Sequence, residues 1–304
     1  MGFSLIIPTL NSAKKLRRLL AAVNAQTLKP DEIIVVDSSS GDNTAAVARS
    51  LGASVLEIPR QDFDHGGTRT LGGKRATGEI LLYMTDDALP ADNDSFKKLL
   101  SAFEDPKIGA ACGRQLPAEN AEPLAEHLRL FNYPAASYKR TYEDREKYGI
   151  KTAFLSDSFC AYRRCALEQA GWFRQRLILG EDLCAGLDIL KGGWALAYQA
   201  DAAVRHSHNY TARQEFARYF DIGVFHARET AIFSQLGRAE GEGVRYVISA
   251  LKFLWPRLWL YPGFFLRVLA KYSGYRLGLA HNRLPKSWRV ACSMHKRWWA
   301  AERD

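Results

Sequence analysis

An α/β fold, with a mostly parallel sheet flanked by helices and then a helical C-terminal extension, is predicted by three observations on this 304-residue chain. Short strand-like runs recur at 3–7, 33–36, 54–58 and 80–84, each too short for a buried helix and each stopped by polar or turn residues. Segments with apolar residues at helical spacing separate them, the alternation expected of a parallel sheet with right-handed crossovers. Beyond residue 210 the strand pattern stops and helical spacing takes over.

The first run, Phe3 to Ile7, ends in Pro8, and Asn11 or Ser12 is placed to cap the next helix, whose Leu16, Leu19, Leu20 and Val23 recur at helical spacing. The second, Ile33 to Val36, ends in Asp37-Ser-Ser-Ser-Gly-Asp42, a loop in which Asp42 is placed to cap a helix over Thr44 to Leu51. The third is Ser54 to Ile58. The Gly-rich segment from residue 62 to 79 follows, with Gly66, Gly67, Gly72 and Gly73 allowing close backbone approach beside Arg69, Lys74 and Arg75. Its spacing is neither a dinucleotide fingerprint nor a P-loop.

The fourth run, Ile80 to Met84, leads straight into Thr85, Asp86 and Asp87. An acidic pair at the C-terminal end of a buried parallel strand lies where ligands bind in open α/β sheets. Adjacent carboxylates there point to opposite faces, so one is free to grip a divalent cation while the other meets a sugar or ribose. Oxygen ligation of that kind suits Mg²⁺ or Mn²⁺. An ordinary solvated turn is the competing reading.

A helix over Ser95 to Phe103 and a strand near Ile108 to Cys112 come next. Residues 114–150 read as helices and loop over one sheet edge, and Thr152 to Tyr162 as strands flanking Ser156-Asp157-Ser158. Gly180 then precedes Glu181 and Asp182, and Leu183, Leu187 and Leu190 mark a helix face, so the two carboxylates occupy a first helical turn. Ala195 to Tyr198 and Ala203 to Val204 read as two short strands. His206 and His208 follow at i and i+2, on one face of an extended segment, where either suits a metal site.

Thr211 to Gln235 reads as a helix. The net charge of +9 lies wholly beyond it: residues 238–304 hold 13 Lys/Arg against 4 Asp/Glu, so the first 237 residues balance to zero. Five of the seven Trp are there as well: Trp255, Trp259, Trp288, Trp298 and Trp299. Basic residues interleaved with Trp suit an anionic membrane surface or a nucleic acid. Lys252, Arg257 and Arg267 interrupt every apolar run, and Pro256 and Pro262 break any long helix, so no span is expected. Packing of those Trp on the domain, or a homo-oligomer contact, is the other reading. The five Cys (112, 160, 165, 184 and 292) are odd in number and lack C-x-x-C spacing, which points to a reducing compartment without structural disulfides or zinc. The opening FSLIIP is short for a signal peptide and has no basic leader.

Taken in order, IIPTLN, VVDSSSGDNT, TDDA and GEDL resemble the family-two inverting glycosyltransferases of the GT-A fold, over about the first 210 residues. The run DFDHGGTRTLGGKRATGEILLYMTDDALP is similar to the rhamnosyltransferase branch, with Thr70 where Asn is frequent and Asp86 where Gln is frequent. The resemblance implies a Rossmann-like nucleotide-sugar-binding catalytic domain over 1–210 and a helical extension over 211–304. Pro8, Thr9 and Asn11 would border the nucleotide, and Asp37, with Ser39 close by, would accept from the pyrimidine N–H. Asp64, His65, Gly66, Arg69 and Lys74 would line the nucleotide and diphosphate. Asp87 would bind Mg²⁺ or Mn²⁺, with His206 or His208 as a further ligand, and Asp86 would meet ribose or sugar hydroxyls. Asp182 would be the general base, beside Glu181.

The implied reaction is metal-dependent transfer of L-rhamnose from dTDP-L-rhamnose to a saccharide or lipid-linked acceptor, in surface polysaccharide synthesis at the cytoplasmic face of a membrane. A hexosyl or N-acetylhexosaminyl transferase using a UDP-sugar is the alternative within the fold. A nucleic-acid-binding protein acting through the basic tail is the alternative of another class. No nucleic-acid module is recognisable in residues 1–237, so no nucleic acid is expected as a partner.

Overall fold

The structure is a computed structural model and describes residues 2–237 and 241–301. Of the basic segment that begins at Arg238, residues 238–240 and 302–304 lie outside the described residues. The strands are β1 (Phe3–Thr9), β2 (Glu32–Asp37), β3 (Ser54–Glu57), β4 (Ile80–Met84), β5 (Leu89–Pro90), β6 (Ile108–Leu116), β7 (Tyr138–Arg140), β8 (Phe159–Arg163) and β9 (Ala195–Arg205). They form a single sheet in the order β3-β2-β1-β4-β8-β6-β9-β5, with β7 also paired to β9. β1, β2, β3 and β4 are mutually parallel. β8 runs against both β4 and β6, and β9 runs with β6. The C-terminal ends of β1, β2, β4, β6 and β9 therefore emerge along one edge of the sheet.

Helices cover both faces, which is why every residue of β4 is buried. Leu5, Ile7, Leu82 and Met84 point to one face, against α1 (Ala13–Asn24), α2 (Thr44–Ser50) and α4 (Ser95–Leu100), while α3 (His65–Arg75) lies on the other, its Gly72 against Ile6 and Val36. Ile6, Leu81 and Tyr83 point to the other, with strand alternation deciding which side chain goes where. Between the strands that follow lie α5 (Pro123–Asn132), α6 (Arg145–Tyr148), α7 (Arg164–Gln169) and α8 (Glu181–Lys191), and α8 packs on that second face.

The C-terminal helices are α9 (Ala212–Arg228), α10 (Thr230–Leu236), α11 (Glu242–Leu254), α12 (Tyr261–Leu279), α13 (Lys286–Cys292) and α14 (Lys296–Ala301). α9, α10 and α14 share the second core with the sheet, with Phe220, Val224, Ile232, Leu236 and Trp299 in the same apolar cluster as Tyr162 and Leu187, whereas Ala250 and Leu254 of α11 pack with Phe264 of α12 in a separate small cluster. α9 and α12 meet backbone to backbone. A Cβ on Gly278 would come within 2.1 Å of the Phe220 carbonyl, and one on Gly274 within 2.3 Å of that of Phe216. Only glycine permits that approach.

The five tail tryptophans divide. Trp298 is partly buried and Trp299 fully so, whereas Trp255, Trp259 and Trp288 stand 71%, 74% and 62% exposed. Val244, Ile248, Leu258, Phe265, Leu266 and Leu269, on α11, α12 and their connection, are also exposed. Among the described residues no helix is long and apolar enough to cross a membrane.

Some local expectations are corrected. Ser12 stands at the α1 N-cap but gives it no side-chain bond, because its hydroxyl is turned to the Leu10 carbonyl and to Asp86. Asn43, not Asp42, occupies the N-cap position of α2; Asp42 accepts from the Thr44 N–H at 3.0 Å. Residues Gly149–Ala153 form a 3-10 turn, so only β8 is a strand in that region. The two short strands near 195–204 are one, β9, whose irregular middle is absorbed by a register shift at Gly113/Arg114. The 211–235 helix breaks at Glu229.

Candidate active site

The strand ends converge on an open cleft of about 460 Å³. One end is built by β1 and β2: Pro8, Thr9, Leu10 and Ser38 line it. Asp37 is buried behind them and accepts from Thr9 Oγ1 (3.3 Å), Ser40 N (2.9 Å) and Ser40 Oγ (2.5 Å). Its carboxylate still has acceptor capacity, since two oxygens offer about four lone-pair directions. Ser39 takes a positive φ of 53° and donates to the Ile58 carbonyl. Asn11, also at positive φ, lies outside the lining; its side chain accepts from Gly41 N and so ties the two loops together.

At the centre, the chain leaves β4 through Thr85, Asp86 and Asp87, all lining the cleft. The two carboxylates diverge. Asp86 meets the Ser12 hydroxyl and Lys15 at 3.8 Å, and burial nevertheless lifts its pKa above the ordinary value. Asp87 faces His206 Nε2 at 3.3 Å. Burial alone would raise Asp87, but the His206 hydrogen bond and charge outweigh it and hold it far below the usual carboxylate range. His208 joins them, and one ligand atom from each of Asp87, His206 and His208 fits within a 4.8 Å group. Burial, then His206, pushes His208 down to about 4, which keeps it neutral and able to ligate.

A cation fits the donor set. Arg129 Nη1, which only donates, lies 2.6 Å from Gln115 Oε1, so that atom is the amide oxygen. His206 Nδ1 lies 2.9 Å from the same oxygen and must donate its proton to it. A protonated ring also donates from Nε2 to Asp87; in the neutral ring Nε2 presents a lone pair toward that carboxylate, and a cation between the two would take the place of the proton. A carboxylate and two imidazoles suit a first-row transition ion such as Mn²⁺ better than Mg²⁺.

The far wall comes from α3 and α8. His65 and Arg69, on α3, line the cleft. Arg69 is fixed by Asp157 (2.8 Å) and Glu181 (3.1 Å), and Asp157 in turn accepts from Tyr162. Burial tends to raise Glu181, yet Arg69 and His65 overcome it and keep the carboxylate ionised. Asp182 has no ion pair among the described residues; burial, then Glu181 and Asp157, lifts it well above the carboxylate range. That combination describes a group with high proton affinity beside a cleft. Neither Glu181 nor Asp182 is in the lining itself; both lie at the first turn of α8, behind Arg69. Asp64, Gly66 and Lys74 are not in the lining either. Asp64 caps α3 through Gly67 N and binds Arg176 N; Gly66 packs where a Cβ would strike the Arg174 carbonyl at 1.9 Å; Lys74 lies over the Trp172 ring.

Several cleft residues escaped the sequence reading: Gln115, Arg129 and Tyr133 from the stretch taken as edge cover, and Arg218 and Arg297 from the helices taken as a separate extension. Nothing in a single sequence separates Arg297 from its basic neighbours; only the folded path of the chain does.

Comparison with known proteins agrees with this geometry. Residues 4–171 match the family model for glycosyl transferase family 2. The chain is 45% identical over 303 residues to the O-antigen chain rhamnosyltransferase RfbN of Salmonella typhimurium, covering 98% of this chain and 96% of that protein. It is 40% identical over 302 residues to the O-antigen chain rhamnosyltransferase WbaN of Salmonella anatum, with the same shares. Among solved structures, the Pyrobaculum calidifontis mannosyltransferase PcManGT, in complex with GDP-Man and Mn²⁺, superposes with a TM-score of 0.57 at 20% identity, covering 98% of this chain and 85% of that one. TarS 1-349 of S. aureus in complex with UDP-GlcNAc gives 0.55 at 19% identity, covering 97% and 84%. The family match over more than half the chain and the full-length relatives establish the assignment: this chain belongs to glycosyl transferase family 2 and is a glycosyltransferase of the GT-A fold.

Proposed function

We propose that the enzyme transfers L-rhamnose from dTDP-L-rhamnose, with inversion, to a lipid-linked saccharide in surface polysaccharide synthesis. The observation that carries the reading is the Asp87, His206 and His208 cluster at the strand ends, in one cleft with Pro8, Thr9 and Arg69. The two rhamnosyltransferase relatives support the choice of sugar. Asp87, His206 and His208 would hold Mn²⁺, with Gln115 orienting His206. When bound, the cation supplies charge stabilisation for a departing diphosphate.

The chain's own residues do the rest. Asp37 accepts from the pyrimidine N–H, and Asp86 accepts from a donor hydroxyl. Asp182 takes the proton of the attacking acceptor hydroxyl, and its raised proton affinity suits that task. Glu181 stays ionised against Arg69 and orients the acceptor side. With one base opposite the leaving group, a single displacement inverts the anomeric centre. Assaying dTDP-L-rhamnose beside UDP-glucose and UDP-N-acetylglucosamine, with the product anomer read by NMR, tests this. Turnover of a UDP-sugar alone, or a retained anomeric configuration, overturns it.

We further propose that the exposed face of α11 and α12 rests on an anionic membrane at the cytoplasmic side, where lipid-linked acceptors lie. Trp255 and Trp259 are exposed, with Lys252 and Arg257 close to them in sequence, a pairing of aromatic and basic groups that suits a lipid headgroup layer. Flotation with phosphatidylglycerol vesicles tests it. Light scattering that shows a dimer broken by Trp255→Ala and Trp259→Ala would assign the face to a second copy instead.

A further inference from the structure

The cleft carries arginines that its own carboxylates do not balance. Arg69 is taken up by Asp157 and Glu181, and Arg129 by Gln115 and the Tyr133 ring. Arg218 of α9 and Arg297 of α14 also line the cleft, and both are exposed. Neither makes a salt bridge among the described residues, although Arg218 lies 6.0 Å from the Tyr210 ring and near Asp221.

Arg297 reaches the cleft because the chain is bound down on either side of it. Asp221 of α9, fully buried, accepts from the backbone N–H of Met294 (2.9 Å) and of His295 (3.2 Å). Trp298 Nε1 donates to the Arg176 carbonyl at 2.8 Å, and the Arg228 guanidinium lies 4.6 Å from its ring. Trp299 has no exposed surface and packs against Phe220. The His295 ring meets His65 edge-on at 5.2 Å, and His65 is itself part of the cleft wall. A tail serving only as surface charge needs none of these anchors. Together they hold the backbone that carries Arg297 beside the cleft.

We propose that the segment Ser293–Trp299 is a wall of the active cleft, and that its Arg297, with Arg218, binds a diphosphate there. The proposal rests on the nucleotide-sugar reading above. Guanidinium groups recognise phosphate oxygens in pairs of parallel hydrogen bonds, and unpaired arginines are poised for it. Two sources carry this group: the nucleoside diphosphate that leaves the donor, and the diphosphate that joins an acceptor saccharide to its lipid.

Calorimetric titration of dTDP and of dTMP, each with Mn²⁺, into the full chain and into Arg297→Ala, Arg297→Lys and Arg218→Ala separates the outcomes. Both arginines are exposed, so each variant should melt with the wild type. If the donor's diphosphate is the ligand, dTDP binding weakens roughly ten- to hundredfold in both Ala variants, dTMP binding holds, and Lys restores part of the loss. If the acceptor's diphosphate is the ligand, dTDP binding is unchanged. The KM for a diphosphate-linked acceptor then rises, while that for the same saccharide on a plain alkyl chain does not. No change in either measurement overturns the proposal while leaving the donor reading intact. Should the wild type bind UDP rather than dTDP, the same comparison runs with UDP and UMP. If it binds no nucleoside diphosphate at all, the donor reading falls and the clamp with it.

Discussion

Leu89 of β5 stands directly opposite Arg205 of β9. That two-residue pairing brings Asp87, two residues before Leu89, to His206, one residue after Arg205. The candidate metal cluster is thus a product of sheet register, not of loop flexibility. Asp87→Ala should abolish Mn²⁺-dependent thermal stabilisation by dTDP while leaving the metal-free melting temperature close to wild type. Equal Mn²⁺ responses in the two proteins would remove Asp87 from the site.

Gln115 acts through His206. Gln115→Leu keeps the volume but removes the oxygen that takes the Nδ1 proton, and frees the ring to turn. Mn²⁺ affinity, measured by electron paramagnetic resonance, should fall by roughly 10- to 100-fold, the usual cost of losing an outer partner of a ligating histidine. Unchanged affinity would mean that Arg129 and packing alone orient the ring.

Asp182→Asn should lower turnover by roughly 10²–10⁴-fold, the range for loss of a general base, with little change in donor binding. A stability signature goes with it. The folded-state pKa of Asp182 is raised, so the folded chain binds the proton more tightly than the unfolded one. Its contribution is then fully present below the unfolded carboxylate pKa and is lost as pH rises through the raised value. The Asn variant should accordingly melt higher than wild type at pH 8–9, an advantage that vanishes near pH 4. A constant difference across that range would show that Asp182 titrates normally.

The tail tryptophans should separate cleanly. Trp299→Ala removes a fully buried side chain and should cost about 3–5 kcal/mol in urea unfolding. Trp255→Ala and Trp259→Ala remove exposed ones and should stay within about 0.5 kcal/mol, yet together release the protein from anionic vesicles. Vesicle binding retained in the double variant would move the contact elsewhere.

The first four parallel strands, the acidic pair and the acidic first turn of α8 were legible because each rests on local rules: run length, strand alternation and first-turn acids. The His206–Asp87 partnership was legible only as two motifs in sequence order; the β5–β9 pairing that joins them is long-range and leaves no local trace. Asp64 and Gly66 sit in a run shared with the family, yet here one caps a helix and the other admits a neighbouring carbonyl. Arg297 was hidden by its surroundings. Among Lys296, Trp298 and Trp299 it reads as one more basic residue of an aromatic tail, and only the Asp221 anchor distinguishes it.

The glycine-mediated seam between α9 and α12 has a consequence for reach. At Gly274 and Gly278 the two backbones touch, and around them Lys271 pairs with Glu215 and Tyr275 with His226, so α12 is soldered to the same body as the cleft. The molecule then works as a fixed-height gauge. If a surface supports Trp255 and Trp259, it would also set how far above it an acceptor hydroxyl must stand to meet the donor, and acceptors would be sorted by length before chemistry begins.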